Sequence, residues 1–141
     1  MIEIREATAH DAMAIQALLT QLGYAQSLEF IANKIQLFEN DERQFIFVAD
    51  IDYKLAGFLS LTMIPQIALE GDFARIAYVC VDQQFRGKRI GQTLVAYAEQ
   101  IAKKWGCNRM ELHSGDHRKQ AHEFYLGQNY EDAPKYFRKF L

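Results

Sequence analysis

Apolar residues at the start of the chain switch from a spacing of two to spacings of three and four. Ile2 and Ile4 alternate with charged residues, which predicts a strand over residues 2–7. Two stripes of helical spacing follow, formed by Ile15, Leu18, Leu19 and Leu22 and then by Leu28, Ile31, Ile35 and Phe38. The pattern therefore predicts a pair of helices directly after the first strand.

Capping residues indicate where these helices begin and end. Thr8 is followed three positions later by Asp11, which is the spacing of a capping box. Ser27 is the predicted cap of the second helix. Gly23 is predicted to end the first helix, because glycine readily adopts the left-handed conformation of a helix terminus.

The middle of the chain carries the signals of strands and turns. Residues 45–49 and 55–64 predict two strands joined by a turn over residues 50–54, and Pro65 ends the second strand. Residues 76–81 form a continuous apolar run, which is typical of a strand buried on both faces. The middle of the chain is therefore predicted to be β structure.

The second half of the chain returns to mixed structure. A third helical stripe is formed by Ile90, Leu94, Tyr97, Ile101 and Trp105. Gly106 is predicted to end that helix, and a strand over residues 109–114, a helix over residues 118–128 and a final strand over residues 135–141 follow. Since no repeat or linker interrupts the chain, we predict a single α/β domain over residues 1–141.

Composition narrows the class of protein. The chain has 141 residues, of which 50% are hydrophobic, and a formal net charge of -2. This composition favours a packed core over disorder, and the near-neutral charge argues against a nucleic-acid partner. Two cysteines do not make a disulfide framework, and the sequence contains neither a leader pattern nor an apolar run of about 20 residues. We therefore expect a cytoplasmic protein with no membrane partner.

The junction between the strand at residues 76–81 and the third helix carries the most informative motif. Helix starts present amide groups that have no partner inside the helix, and the helix dipole adds positive charge there. Gly87 and Gly91 permit close approach to the backbone, and cationic side chains of the same junction come from Arg86, Lys88 and Arg89. This combination predicts a site for a phosphate chain.

Two other phosphate-binding motifs are excluded at this junction. The Gly-Lys-Ser/Thr ending of a Walker loop is missing, and so is the Gly-x-Gly-x-x-Gly fingerprint of a dinucleotide site. The alternative interpretation is a tight strand-to-helix turn whose basic side chains are simply solvated.

The junction resembles that of the GNAT superfamily of acyl-CoA N-acyltransferases. Their signature is Arg/Gln-x-x-Gly-x-Gly/Ala after an apolar strand. Here Arg86 occupies the first position and Gly91 the last, while Ile90 and Leu94 match the apolar positions of the helix. Arg89 occupies the middle glycine position, which is a departure from the family pattern.

A second segment strengthens the resemblance. Residues 121–130, with the sequence Ala-His-Glu-Phe-Tyr-Leu-Gly-Gln-Asn-Tyr, are similar to the family pattern Ala-x-x-Phe-Tyr-x-x-x-Gly-Phe. Asn129 occupies the glycine position, and asparagine is the next-best residue for a left-handed helix end. Two motifs in the expected order, with the expected elements between them, identify the chain as a member of the family.

The resemblance implies both a fold and a cofactor. The fold is a mixed, mostly antiparallel sheet of about seven strands flanked by about four helices, whose fourth and fifth strands splay apart to admit a pantetheine arm. Acetyl-CoA would be the acetyl donor, and main-chain groups of Val79 and Val81 would pair with the pantetheine amides. The diphosphate would be held by Arg86, Gly87, Lys88, Arg89, Ile90, Gly91 and Gln92.

The resemblance also implies a general acid. Tyr125 matches the family's tyrosine, whose phenol keeps its proton at neutral pH and can donate it to a departing thiolate. The alternative is that Tyr125 only packs beside Phe124. Direct attack by the amine is expected, because no residue is signalled as a nucleophile. Cys80 lies in an apolar strand, where a thiol is more often inert core than an acyl carrier.

Neither the general base nor a metal site is indicated by a clear pattern. Tyr78 stands on the central strand, where many relatives of the family carry a glutamate, and other candidates nearby are Glu70, Asp72, Glu111 and His113. A group of potential metal ligands is formed by His113, Asp116, His117 and His122. Its spacing is irregular and does not place the histidines on one helix face, so no metal is expected.

The acceptor is predicted to be the primary amine of a small molecule. The tail over residues 136–141 and the Phe-Tyr motif resemble small bacterial members that act on such amines, including aminoalkylphosphonate and aminoglycoside acetyltransferases. Acetylation of a protein or peptide and a catalytically weak CoA-binding sensor are the alternatives. A homodimer is expected from the family's sheet edges.

Overall fold

Nine regular elements lie in residues 1–113, 119–133 and 137–141, which are the residues that this computed structural model describes. The strands are β1 (Ile2–Glu6), β2 (Gln44–Ile51), β3 (Lys54–Ile64), β4 (Phe73–Val81) and β5 (Met110–Leu112). The α-helices are α1 (Ala12–Leu22), α2 (Leu28–Glu39), α3 (Ile90–Trp105) and α4 (Lys119–Gly127). Short 3-10 helices span Ala9–Asp11 and Gln83–Phe85. The chain forms two compact units, Met1–Glu111 and Leu112–Leu141.

The capping box predicted at Thr8 and Asp11 is present, but it starts the 3-10 helix Ala9–Asp11, and α1 follows with Asp11 at its own N-cap position. The Thr8 amide donates to Asp11 Oδ2 at 2.8 Å, and a 3-10 turn precedes α1. Gly23 ends α1 with φ 105°, in the left-handed region that glycine tolerates without strain. Ser27 Oγ accepts a hydrogen bond from the Phe30 amide at 3.0 Å and so caps α2.

The sheet has the strand order β1-β2-β3-β4-β5, and its first four strands pair antiparallel. Asp52 and Tyr53 form the tight turn between β2 and β3, and both have positive φ as a primed hairpin turn requires. The register of β3 against β4 shifts from Ser60↔Tyr78 to Leu61↔Ile76, so one residue of β4, Ala77, is left over as a bulge.

The expectation of about seven strands is wrong for the described part of the chain, which has five. The predicted final strand accounts for part of the difference, since residues 137–141 form no strand and residues 135 and 136 lie outside the described residues. Phe137 and Phe140 are three positions apart, so a strand would place them on opposite faces, and both are largely exposed. The expected number of α-helices, about four, is confirmed.

Helices cover both faces of the sheet in the unit Met1–Glu111. Core residues of α1 and α2 pack on one face with β-strand partners, and this cluster contains Ile15, Leu18, Ile31, Ile35, Val48, Phe58 and Cys80. The buried face of α3 is formed by Ile90, Leu94, Val95, Ala98 and Ala102. The Phe47 and Tyr97 rings meet edge to face at 5.0 Å between centroids, which fixes α3 against β2. The start of α3 follows the end of β4 after a short 3-10 helix and loop.

The unit Leu112–Leu141 contains α4, in agreement with the helix predicted over residues 118–128, apart from position 118, which lies outside the described residues. Asn129 follows the helix with φ 69°, the left-handed conformation expected there. The Tyr130 amide donates to the carbonyl of Tyr125 at 3.1 Å, which closes the helix end. In the three described ranges, no helix combines the length and apolar character needed to cross a membrane.

Candidate functional site

The junction between β4 and α3 is a short turn anchored to the neighbouring strand. The Asp82 amide donates to the carbonyl of Ala56 on β3 at 2.8 Å. The Asp82 carboxylate accepts from the Gln84 amide at 2.8 Å, and its carbonyl accepts from the Phe85 amide at 2.9 Å. Three hydrogen bonds at one residue therefore fix the path of the chain before it enters the loop.

The loop itself contains two left-handed residues. Gly87 has φ 80°, and Arg89, which directly precedes α3, has φ 62° and ψ 24°. An L-residue in this conformation carries a cost of about 1–2 kcal/mol that glycine avoids. Arg89 thus adopts a backbone conformation that glycine would adopt without this cost.

The first turn of α3 presents amide groups toward the loop. The first hydrogen bond into the helix runs from the Thr93 amide to the Arg89 carbonyl at 3.1 Å. The amides of Ile90, Gly91 and Gln92 therefore have no acceptor within the helix, and the helix dipole adds partial positive charge around them. Such a set of donors is suited to a phosphate or another compact anion.

The charge around these amides is positive. Arg86, Lys88 and Arg89 are exposed, and the first turn of α3 contains no acidic residue. Lys54 adds a fourth cation from β3: its Nζ lies 5.6 Å from the centroid of the Phe85 ring, and Lys88 Nζ lies 5.5 Å from the same centroid. Lys54 was not among the predicted site residues, because only the β2–β3 hairpin brings it to the loop.

The predicted cofactor residues fall into two groups. Val79 and Val81 are half-buried on β4 beyond the bulge, where they pair with Leu59 and Gly57 of β3. The other group is contiguous at the loop and the start of α3. Within it the Ile90 side chain is 2% exposed and belongs to the core, so only its main chain can contact a ligand.

The predicted general acid lies on α4, in the unit Leu112–Leu141. The Tyr125 ring contacts Phe124 edge to face, with centroids 5.2 Å apart, and Tyr130 at 6.1 Å. These contacts are the ones expected if Tyr125 only packs beside Phe124. Its role as a proton donor remains a prediction.

Two of the candidate bases are engaged in ion pairs. Burial raises the pKa of Glu111, but hydrogen bonds from Arg109 and Arg75 at 2.7 and 3.2 Å outweigh it and hold that pKa below its ordinary value. Hydrogen bonds from Arg43 and from the Trp105 indole lower the pKa of Asp72. A carboxylate that is held ionised by arginines accepts a proton poorly, so both are weak candidates.

The remaining base candidates and the cysteine differ in their exposure. Glu70 and His113 are exposed. Cys80 is buried, and its thiol donates to the carbonyl of Leu18 at 3.3 Å, as expected of a core thiol.

Potential metal ligands are dispersed in the described part of the chain. No group of three or more His, Cys, Asp or Glu side chains there is arranged to hold a metal ion. Asp116 and His117 of the histidine-rich segment lie outside the described residues.

Comparison with known proteins places this geometry in a family. The profile of the Acetyltransferase (GNAT) family matches residues 11–128. That match covers most of the chain, including the first motif and residues 121–128 of the second. The chain therefore belongs to the GNAT family, and it is an N-acetyltransferase of that family.

Individual relatives agree with this assignment. An aminoalkylphosphonate N-acetyltransferase of Salmonella typhimurium is 29% identical over 146 residues, which cover 99% of this chain and 91% of that protein. A crystal structure of a transcriptional regulator from Bacillus halodurans superposes with a TM-score of 0.92 at 22% identity, over 100% of both chains. An aminoglycoside N-acetyltransferase in complex with CoA has a TM-score of 0.86 at 15% identity, over 99% of this chain and 95% of its own. The two structural matches establish the shared fold.

Proposed function

We propose that this chain transfers the acetyl group of acetyl-CoA to the primary amine of a small molecule, by direct attack of the amine. The observation that carries the proposal is the start of α3. There the amides of Ile90, Gly91 and Gln92 face a loop with cationic side chains and no acidic residue in the first helical turn.

The hydrogen-bond donors and the positive charge at this junction are suited to the diphosphate of CoA. A diphosphate accepts several hydrogen bonds and carries negative charge, and the junction supplies backbone donors together with Arg86, Lys88 and Arg89. The left-handed backbone at Gly87 and Arg89 turns the chain so that the first amides of α3 follow directly. Lys54 and Lys88, which flank the Phe85 ring, would add to the attraction for the phosphates.

Val79 and Val81 are proposed to hold the pantetheine arm through their main chain. Both lie on β4 after the bulge at Ala77, and a bulge interrupts regular pairing and re-aims the strand. This supports an opening of the sheet beyond that point, which is the splay expected between the fourth and fifth strands. When bound, acetyl-CoA supplies an activated thioester as the acetyl donor.

Tyr125 is proposed to donate its phenolic proton to the departing thiolate. A phenol is protonated at neutral pH and is therefore ready to act as an acid in this step. The acceptor amine must itself lose a proton. Since arginines hold Asp72 and Glu111 ionised, this proton is expected to leave through solvent or through the Tyr78 region of β4.

The proposed class of acceptor is supported by a relative. Similarity to an aminoalkylphosphonate N-acetyltransferase over nearly the whole chain supports a small amine. The sensor alternative depends on Arg89 at the glycine position and on the lack of a clear general base; the left-handed conformation of Arg89 supports a working phosphate loop and bears only on the first of these. Acetylation of a protein or peptide stays the alternative, and a homodimer and a cytoplasmic location remain predictions from the sequence.

The test combines binding with turnover. Titration calorimetry with acetyl-CoA is expected to show one site per chain, and thiol release is expected with at least one of aminomethylphosphonate, 1,4-diaminobutane and glucosamine. A lysine-containing peptide serves as the comparison acceptor. Binding without thiol release on any acceptor would favour the sensor, and absence of binding would refute the proposal.

A further inference from the structure

The bulge on β4 coincides with a stretch of that strand that is accessible to solvent. Ala77 and Tyr78 are exposed, although Ile76 before them and Cys80 after them are buried. A bulge turns side chains away from their regular positions and is often found beside functional sites. The sheet is therefore open to a ligand at this point, on the part of β4 that precedes Val79.

Ser60 lies directly across from this opening. It pairs with Tyr78 in the β3–β4 register, and directly opposite residues place their side chains on the same face of a sheet. Phe58 and Cys80, which form the next pair on the same face, lie in the cluster packed by α1 and α2, so Ser60 faces that side. Ser60 is 8% exposed.

The hydroxyl of Ser60 has no hydrogen-bond partner in the described part of the chain, and its oxygen is hidden from solvent. Burying a hydroxyl without a partner costs free energy, so such groups are rare in folded proteins and each one calls for an explanation. Thr62, two positions along the same strand, shows the ordinary case. Its hydroxyl is 2.7 Å from Gln44 Oε1 and is satisfied within the protein.

Two tyrosine rings border the same face. Tyr24, just after α1, and Tyr78 meet edge to face with centroids 5.5 Å apart. They are 42% and 43% exposed, so each ring presents part of its surface to solvent. Aromatic faces attract cationic groups, and side chains with this exposure change rotamer quickly enough to admit a ligand.

We infer that Ser60 is an acceptor-binding residue, whose hydroxyl accepts a hydrogen bond from the nitrogen of a small primary aliphatic amine that enters beside Tyr24 and Tyr78. This inference rests on the proposed transferase function. It assigns to Ser60 the positioning of the acceptor, separately from the acetyl-CoA site at the start of α3.

The test compares Ser60→Ala with Thr62→Val, which removes a hydroxyl that already has a partner. Steady-state kinetics with the three small amines named above give KM and kcat, calorimetry gives the affinity for acetyl-CoA, and thermal unfolding reports on the fold. In Ser60→Ala the acceptor KM is expected to rise about tenfold, the loss of one hydrogen bond to an amine, while acetyl-CoA affinity and the thermal midpoint do not fall. In Thr62→Val the midpoint falls and the acceptor KM stays unchanged.

Each other outcome contradicts the inference. An unchanged acceptor KM in Ser60→Ala would remove Ser60 from the acceptor site. A lower midpoint in Ser60→Ala would show that the hydroxyl has a structural partner. If the wild-type protein binds acetyl-CoA but acetylates none of the three amines, the acceptor assignment fails while the acetyl-CoA site stands; if acetyl-CoA does not bind, the proposed function itself fails.

Discussion

A Cβ atom added to Gly57 would lie 2.6 Å from the carbonyl oxygen of Cys80, a separation that real Cβ atoms essentially never show. The same atom would lie 3.3 Å from Cδ1 of Leu94 on α3. Gly57 is also the register partner of Val81, the last residue of β4. The absent side chain thus lets β3, β4 and α3 meet where the candidate site begins.

Gly57→Ala is expected to lower the free energy of unfolding by about 1–3 kcal/mol, because the added methyl group must push β4 or α3 away. It is also expected to weaken acetyl-CoA binding, because the path of Val81 into the loop moves. Urea unfolding and calorimetry measure the two effects. The matched control is Gly127→Ala on α4, where a Cβ meets nothing within 4 Å, so the stability of that variant should not fall. Equal free energies of unfolding for the two variants would contradict the close approach of Gly57 to the carbonyl oxygen of Cys80.

Local signals explain why much of the fold could be predicted from the sequence. Ser27 and Gly23 act within one turn of a helix and behave in the structure as predicted, while Thr8 starts the 3-10 turn that leads into α1. The start of β4 at Phe73 was not predicted, because it depends on pairing with Ile64, a contact that the local pattern does not reveal. The number of strands depends on such pairings too, and this is where the prediction was wrong.

The conformation of Arg89 leads to a second prediction. Arg89→Gly removes the strain of a left-handed arginine and should raise the free energy of unfolding by up to about 1 kcal/mol. Arg89→Ala keeps the strain and should leave stability within about 0.5 kcal/mol of wild type. Both variants lose the cation, so both should bind acetyl-CoA more weakly by the same small factor and with less dependence on salt. An Arg89→Gly variant less stable than Arg89→Ala would contradict the left-handed conformation.

Gly91→Glu separates stability from binding at the start of α3. A glutamate in the first turn interacts favourably with the helix dipole, so the thermal midpoint should stay or rise. The same carboxylate repels phosphates, and acetyl-CoA affinity should fall by more than about tenfold. Gly91→Ala adds the Cβ without the charge and distinguishes steric from electrostatic effects. Wild-type affinity in Gly91→Glu would exclude this helix start as the diphosphate site.

The sequence predicts only the part of the candidate site whose residues are close together along the chain. Arg86 and Gly91 are five positions apart in one motif, and the sequence shows their relation directly. Lys54 and Ser60 reach the site only through strand pairing, and no spacing rule connects them to residues 77–92. The orphaned hydroxyl of Ser60 depends on what surrounds it in the folded protein, so no sequence pattern marks it.

Tyr125→Phe tests the proposed general acid. Removing a positioned proton donor should lower kcat about 100-fold, while the affinity for acetyl-CoA changes little, because the ring and its packing on Phe124 remain. Single-turnover measurement with saturating acetyl-CoA separates the chemical step from product release. Tyr130→Phe, which removes the phenol of the neighbouring ring, is the matched control and should keep kcat. If the two variants had the same kcat, Tyr125 would be a packing residue only.

The ion pair between Arg5 and Asp11 leads to a prediction on stability. The two guanidinium nitrogens of Arg5 lie 2.8 and 2.9 Å from the carboxylate of Asp11, whose side chain is 6% exposed. Asp11→Asn should lower the free energy of unfolding at pH 7 by about 3 kcal/mol, the lower end for a broken buried pair. The loss should not be larger, because Arg5 is partly exposed and still forms an ion pair with Asp50 at 3.2 Å. Glu3→Gln, at an exposed position of β1, is the control and should change stability by less than about 0.5 kcal/mol.

The same pair sets the direction of a pH dependence. Burial raises the pKa of Asp11, but hydrogen bonds from Arg5 and from the Thr8 amide outweigh it, so the folded pKa lies below the ordinary value of 3.8. A carboxyl whose pKa is lower in the folded state stabilises the fold above its unfolded pKa and loses that contribution as the pH falls through the folded value. Urea unfolding at pH 7, 5, 4 and 3 should therefore show the gap between wild type and Asp11→Asn constant down to about pH 5 and shrinking below pH 4. A gap that stayed constant down to pH 3 would mean that the Asp11 carboxylate contributes nothing through its charge.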